Sequence, residues 1–198
     1  MREPRWYVVQ VETGRERQAV EAARRACEGA QDGRGRELLR ECFVPMYEAQ
    51  VKLHGKWVGE QRRLLPGYMV AVTDDPWRLA RLLGRVPALT RVLRLGETYA
   101  PLDEPDREWL DRWTRPGERT VPMSVARKVG ETVVVTEGPL KGLEGHITKV
   151  RRRKAEAEIA LEVNGKRITA TVGLAVLPGE AVGDGAGAAG EQAANEQQ

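Results

Sequence analysis

Lys149, Arg151, Arg152, Arg153 and Lys154 put five cations into six consecutive positions, the last four immediately after a run that finishes at Val150. Side chains of this kind do no acid–base or nucleophilic work by themselves. Fixed outward positive charge instead attracts a polyanionic backbone, and nucleic acid is its commonest ligand. Lys128 and Lys141 lie in the same segment and complete the candidate set. The plain alternative is a solvated turn. Nothing else in the chain offers chemistry: His54 and His146 have no carboxylate or cysteine spaced to work with them, and Cys27 and Cys42 are too few for a zinc site or a disulfide scaffold. The expectation is a binding protein, neither an enzyme nor a carrier of cofactor or metal, with two thiols kept reduced in a cytosol.

A small β-unit must position the cations. Residues 131–136 and 145–150 read as strands joined by a glycine-rich bend, and residues 155–163 and 166–172 alternate apolar and polar around Asn164-Gly165, a strong two-residue hairpin signal. A two-residue turn sets Leu161 opposite Ile168, Ile159 opposite Ala170, Ala157 opposite Val172 and Glu162 opposite Arg167, which aligns core with core. With residues 174–177 this makes five short strands, the content of a small barrel.

The preceding part alternates strands and helices. Residues 6–11 read as a buried strand, and Ala19, Ala22, Ala23, Ala26 and Cys27 recur at helical spacing until Gly29. Residues 42–53 and 56–63 are extended runs around His54-Gly55, and residues 66–72 form a wholly apolar strand expected at the centre of a sheet. Asp74 or Asp75 can cap a helix whose apolar side is Trp77, Leu79, Leu82 and Leu83. Residues 92–95 read as a short strand. A last helix starts at Asp103 and carries Trp109, Leu110 and Trp113 on one face. The fold expected is α+β: an N-terminal α/β domain over residues 1–114, a Pro/Gly linker over 115–124, a five-stranded barrel over 125–177 and a disordered acidic tail over 178–198.

Charge follows this division. Residues 1–124 carry 22 basic and 19 acidic groups, residues 125–177 carry 10 and 6, and residues 178–198 carry none and 4. Positive charge is therefore densest in the barrel. The start lacks a signal-peptide pattern and no stretch approaches about 18 apolar residues, so a soluble cytoplasmic protein without a membrane partner is expected.

Three stretches in order, Trp6-Tyr7-Val8-Val9 with Gly14 and Glu16, then Leu65-Pro66-Gly67-Tyr68, then Val133 through Gly145 with its Glu137-Gly138-Pro139-Leu140-Lys141-Gly142 core, resemble the NusG family of transcription elongation factors over residues 5–177. The resemblance implies an NGN domain that grips the clamp helices of the largest RNA polymerase subunit through an apolar concavity, here Tyr7, Leu65, Pro66, Gly67, Tyr68 and Met69, followed by a KOW barrel. Residues 42–45, the Leu64-Leu65 step where housekeeping members carry aromatic residues, and the compact basic run are most similar to the LoaP antiterminator paralogue.

By resemblance, such a factor is a monomer that recognises a hairpin in the nascent leader RNA and carries polymerase past terminators. Non-template DNA is a further partner the resemblance leaves open. Two other readings stand beside it. One is a housekeeping factor whose barrel meets ribosomal protein S10 or Rho; the other is a translation-linked binding protein, since similar barrels occur in ribosomal proteins.

Overall fold

The computed structural model describes residues 5–86, 91–163 and 166–178. The N-terminal half is built on an antiparallel sheet of order β2-β5-β1-β6, from β1 (Arg5–Gln10), β2 (Glu41–Phe43), β5 (Tyr68–Thr73) and β6 (Arg91–Val92). Both interior strands read as unbroken apolar runs because both faces are covered. Tyr7 pairs with Ala71 and Val9 with Met69, and these four face α1 (Glu16–Cys27) and α2 (Pro76–Leu83). Trp6, Val8, Val70 and Val72 alternate to the other face, where Phe43, Tyr47, Leu64 and Leu65 join them.

The hairpin of β3 (Met46–Leu53) and β4 (Lys56–Arg63) turns at His54 and Gly55 with φ of 48° and 82°. Positive φ at both positions gives the twist that a two-residue hairpin needs. Asp75 caps α2 by accepting from the Arg78 amide at 2.9 Å, with Pro76 in the first turn. Trp77 departs from the expected apolar face: it is 57% exposed, and Leu79 and Leu83 alone of that set are fully buried. The short strand after α2 lies at Arg91–Val92, earlier than the expected 92–95, because Val92 is where the chain meets Val9 of β1. Helix α3 (Glu104–Trp113) buries Leu110.

After α3 the chain is more ordered than a linker pattern suggests. β7 (Thr120–Val121) runs parallel to the start of β3, and Val121 is fully buried. Just before it, the Arg119 guanidinium is buried over the rings of Trp6 and Phe43, 4.7 and 4.9 Å from their centroids, and pairs with Glu41 and Asp111.

The C-terminal half is a curled sheet of five strands, β8 (Ser124–Val129), β9 (Thr132–Glu137), β10 (Ile147–Arg151), β11 (Glu156–Val163) and β12 (Lys166–Leu177), in the order β10-β11-β12-β8-β9. The β11–β12 register pairs Leu161 with Ile168, Ile159 with Ala170, Ala157 with Val172 and Glu162 with Arg167, as expected from the hairpin signal. The membership differs in one respect: residues 174–177 continue β12, and the fifth strand is β8, whose partner is β12 in parallel. The Asn164-Gly165 turn and the expected disordered tail lie outside the described residues, except that the latter's Pro178 follows β12.

The two halves are packed together. Ala157, Ile159 and Val172 of the barrel share one buried cluster with Trp6, Leu64 and Leu65. The Thr171 amide donates to the Leu64 carbonyl at 3.3 Å, and the Trp109 indole N–H donates to the Pro139 carbonyl at 2.8 Å. Gly173 allows the closest approach, since a Cβ there would overlap the carbonyl oxygen of Glu48 on β3.

Candidate nucleic-acid interface

Strand β10 ends at Arg151, and residues Arg152–Lys154 form a single 3-10 turn closed by Ala155 in the left-handed region at φ 50°. The Ala155 carbonyl accepts from the Leu174 amide at 2.8 Å, which ties the corner to β12. Because the turn reverses direction at once, its three side chains fan outward. Arg152, Arg153 and Lys154 are exposed and have no ion-pair partner among the described residues. Lys149 is exposed on β10 beside them, while Arg151 is half-buried and paired with Glu158 across the β10–β11 ladder. Five candidate cations therefore sit side by side at one corner. Lys128 and Lys141 do not join them: Lys128 stands on β8, separated from β10 by two intervening strands in the sheet, and Lys141 sits in the bend between β9 and β10, both exposed.

The apolar candidates divide between two faces. Leu65 is 4% exposed within the cluster under the barrel, Tyr68 is half-buried against that cluster, and Pro66 is exposed beside it. Tyr7 and Met69 belong to the helix-side core on the opposite face of the sheet, a consequence of strand parity. Burial raises the Tyr7 phenol above its ordinary value, with Arg5 partly offsetting that effect. Met69 packs its sulfur 3.8 Å from that of Cys42, whose thiol burial pushes up to about 12.

Glu16 holds the Leu65 step in place. Its carboxylate, fully buried, accepts from the amides of Gly67 at 2.9 Å and Gly14 at 3.0 Å and pairs with Arg63 at 2.9 Å. Burial alone would raise this carboxyl. The amide bonds from Gly67, Glu16 itself and Gly14, together with the Arg63 charge, outweigh burial and hold it below the usual range. Gly67 sits at φ 82°, and a Cβ there would come 2.8 Å from the Thr13 hydroxyl, so the amide can reach Glu16 only from glycine.

Between the halves, Glu156 of β11 is buried and takes the Tyr47 hydroxyl at 3.1 Å and the Arg62 guanidinium at 2.6 Å. Burial, followed by the charge and hydrogen bond of Glu156, pushes the Tyr47 phenol up to about 12. Sequence reasoning singled out none of Arg17, Arg62, Arg63 and Glu156, although they line one cleft with the basic corner. The only signal was the charged pair Arg62-Arg63 directly ahead of Leu64. Among the described residues no cluster of His, Cys, Asp and Glu could hold a metal, and no helix is long and apolar enough to cross a membrane.

The architecture is thus an α/β sheet followed by a curled barrel, with cations at a barrel corner. A family model described as "Transcription termination factor nusG" matches residues 4–110, more than half of the chain, and the chain belongs to the NusG family of transcription termination/antitermination factors. It is 24% identical over 165 residues to the transcription termination/antitermination protein NusG of Rickettsia felis, covering 81% of this chain and 82% of that one. It is 26% identical over 166 residues to the protein of that name from Vibrio parahaemolyticus, covering 82% and 88%. A solved structure described as "Domain interaction in Thermotoga maritima NusG" shares the fold with a TM-score of 0.52 at 15% identity, over 85% of this chain and 93% of that one.

Proposed function

We propose that this NusG-family chain is a specialised elongation and antitermination factor of the cytoplasm. On this reading, residues 1–114 grip the clamp helices of the largest RNA polymerase subunit around Leu65, Pro66 and Tyr68. Residues 115–124 join the two domains, and the barrel of residues 125–177 holds a hairpin in the nascent leader RNA. The observation that carries the reading is the corner itself: Arg152, Arg153 and Lys154 are consecutive, exposed and without acidic partners among the described residues. If the corner makes about four phosphate contacts, log affinity falls with log salt at a slope of roughly −3 to −4. That attracts RNA without choosing a sequence. Choice requires an arginine on a base edge or a match to a widened groove, since the deep groove of regular A-form RNA excludes side chains.

No bond is made or broken. A factor that binds the closed polymerase clamp better than the open one shifts the population by its differential affinity alone. RNA held at the corner raises the local concentration of the factor at one transcript. Leu65 lies under the barrel, so on this reading polymerase gains access to it as the barrel swings off and the contacts of Glu156 and Thr171 are released.

The test is transcription in vitro across a terminator, with and without a leader hairpin upstream. Readthrough that depends on the hairpin is the expected result. Equal effects on both templates would favour the second reading, a housekeeping factor whose barrel meets ribosomal protein S10 or Rho; the names of the Rickettsia and Vibrio relatives are the observation on its side.

A further inference from the structure

The packed halves enclose a cleft of about 640 Å³ whose walls come from both. Arg17 of α1 and Arg62 and Arg63 of β4 supply one wall, and Arg151 and Lys154 of the basic corner supply the other. Among the described residues Glu156 is the one carboxylate in its lining, and it already accepts from Tyr47 and Arg62. Arg63 is held by the buried Glu16, Arg62 by Glu156 and Glu60, and Arg151 by Glu158. Those carboxylates fix where the guanidinium groups stand while using only part of the five donors each carries. Arg17 and Lys154 are exposed and have no ion-pair partner among the described residues. Arg17 and Lys154 thus carry the uncompensated charge of a groove whose paired guanidinium groups keep spare donors, a setting that suits a ligand with repeated negative charge. Four of the five cations are arginine, whose planar fork suits phosphate oxygens.

We propose that this cleft is a composite phosphate site, present only while the barrel is packed on the N-terminal sheet, in which Arg17, Arg62 and Arg63 join Arg151 and Lys154 on the backbone of one RNA. The proposal rests on the reading of the basic corner as an RNA contact and extends it across the domain boundary. The cleft runs on from the exposed Arg152-Arg153 turn, so an RNA seated at the corner meets the N-terminal arginines without leaving the surface. A ligand that needs both walls favours the arrangement in which both are present. RNA in the cleft therefore holds the barrel over Leu64 and Leu65, and release of the cleft portion, with the corner still engaged, accompanies opening.

The experiment measures binding of a short hairpin RNA to the full chain by fluorescence anisotropy across a salt series, for wild type, Arg17→Ala, Arg152→Ala and Gly173→Ala, with circular dichroism to check folding. Arg17→Ala is expected to weaken binding several-fold at low salt and to reduce the salt slope by about 1, as for loss of one phosphate contact. Gly173→Ala places a Cβ against the Glu48 carbonyl and wedges β12 from β3, so it should remove the contacts of Arg17, Arg62 and Arg63 together, a larger loss than that of Arg17→Ala. The Arg17→Ala/Gly173→Ala pair should be no weaker than Gly173→Ala alone. Wild-type affinity in Arg17→Ala with a loss in Arg152→Ala overturns the composite cleft and leaves the corner standing. Wild-type affinity in both overturns the corner as well. An unchanged Kd in Gly173→Ala overturns the need for packing, and Arg17-dependent binding of polyglutamate without binding of RNA reassigns the cleft to an acidic protein segment and overturns the proposal.

Discussion

The Tyr47 hydroxyl donates to Oε1 of Glu156 at 3.1 Å, and Arg62 reaches the same oxygen at 2.6 Å, so one buried carboxylate of the barrel is shared by two side chains of the N-terminal hairpin. A hydrogen bond to a charged group contributes about 1.5–3 kcal/mol. Tyr47→Phe should therefore loosen the packing measurably. Tyr47→Phe with Arg62→Met should release it, because an unpaired buried carboxylate costs about 3–5 kcal/mol and is relieved if β11 moves into water. NMR relaxation reports this directly: the halves should tumble as one body in wild type and separately in the double variant. Common tumbling in the double variant would show that the apolar contacts suffice.

Arg152→Ala and Arg153→Ala should each weaken binding of hairpin RNA and flatten its salt slope by about 1 while leaving association with RNA polymerase unchanged. Both residues are exposed and hold nothing in the fold, so their loss should not move Tm. Parallel RNA titrations and polymerase pull-downs separate the two effects, and equal losses in both assays would place these arginines in the polymerase contact.

Arg119→Ala removes a buried guanidinium from between two aromatic rings and strands Glu41 and Asp111. Glu41 and Asp111 are 20% and 47% exposed and can turn to water, so the expected destabilisation is about 1.5–3 kcal/mol. Arg119→Lys should recover little, since an ammonium can neither stack on Trp6 nor reach Glu41 with two donors as Nε and Nη2 do. Urea unfolding of both variants measures the difference.

Acid should act through Glu16. Its folded carboxyl is held below the ordinary glutamate value, so its contribution is present above about pH 4.3 and is lost as pH falls through the lower folded value. Asp32 adds to the same loss further down: the Arg36 amide bond, against some burial and with the Arg34 amide and the Arg36 side chain, lowers its carboxyl to about 2. Urea midpoints measured from pH 6 downward should fall less steeply for Glu16→Gln than for wild type. Identical slopes would mean that Glu16 gains nothing from its amide partners.

Legibility followed the range of the interaction. The β11–β12 register was readable because a two-residue turn fixes every pairing behind it. The β3–β4 hairpin was readable from His54-Gly55, and the central place of β5 from its unbroken apolar run. β8 was not, since Ser124–Val129 carries three polar residues in six and is made a strand by its neighbours β12 and β9. Arg119 reads as one more loop cation until Trp6, Phe43 and Glu41, far away in sequence, surround it. The contact between the halves was invisible for the same reason: Leu64, Leu65, Ala157 and Val172 have the pattern of core residues, and pattern does not say whose core. Of the candidate interface, the five cations around β10 could be found in the chain; the arginines they face across the cleft could not.

The parallel pairing of Ser124 with Leu174 joins positions 50 residues apart, and β12 is the last strand described. On the ribosome, the first strand of the barrel can pair with β9 at once but must wait for its second partner until Leu177 has emerged, whereas every strand of the N-terminal sheet lies before residue 93. The nascent chain thus presents Leu64 and Leu65 uncovered for the whole interval in which residues 93–177 are synthesised. Newly made molecules pass through a bare, adhesive stage before they acquire their cover.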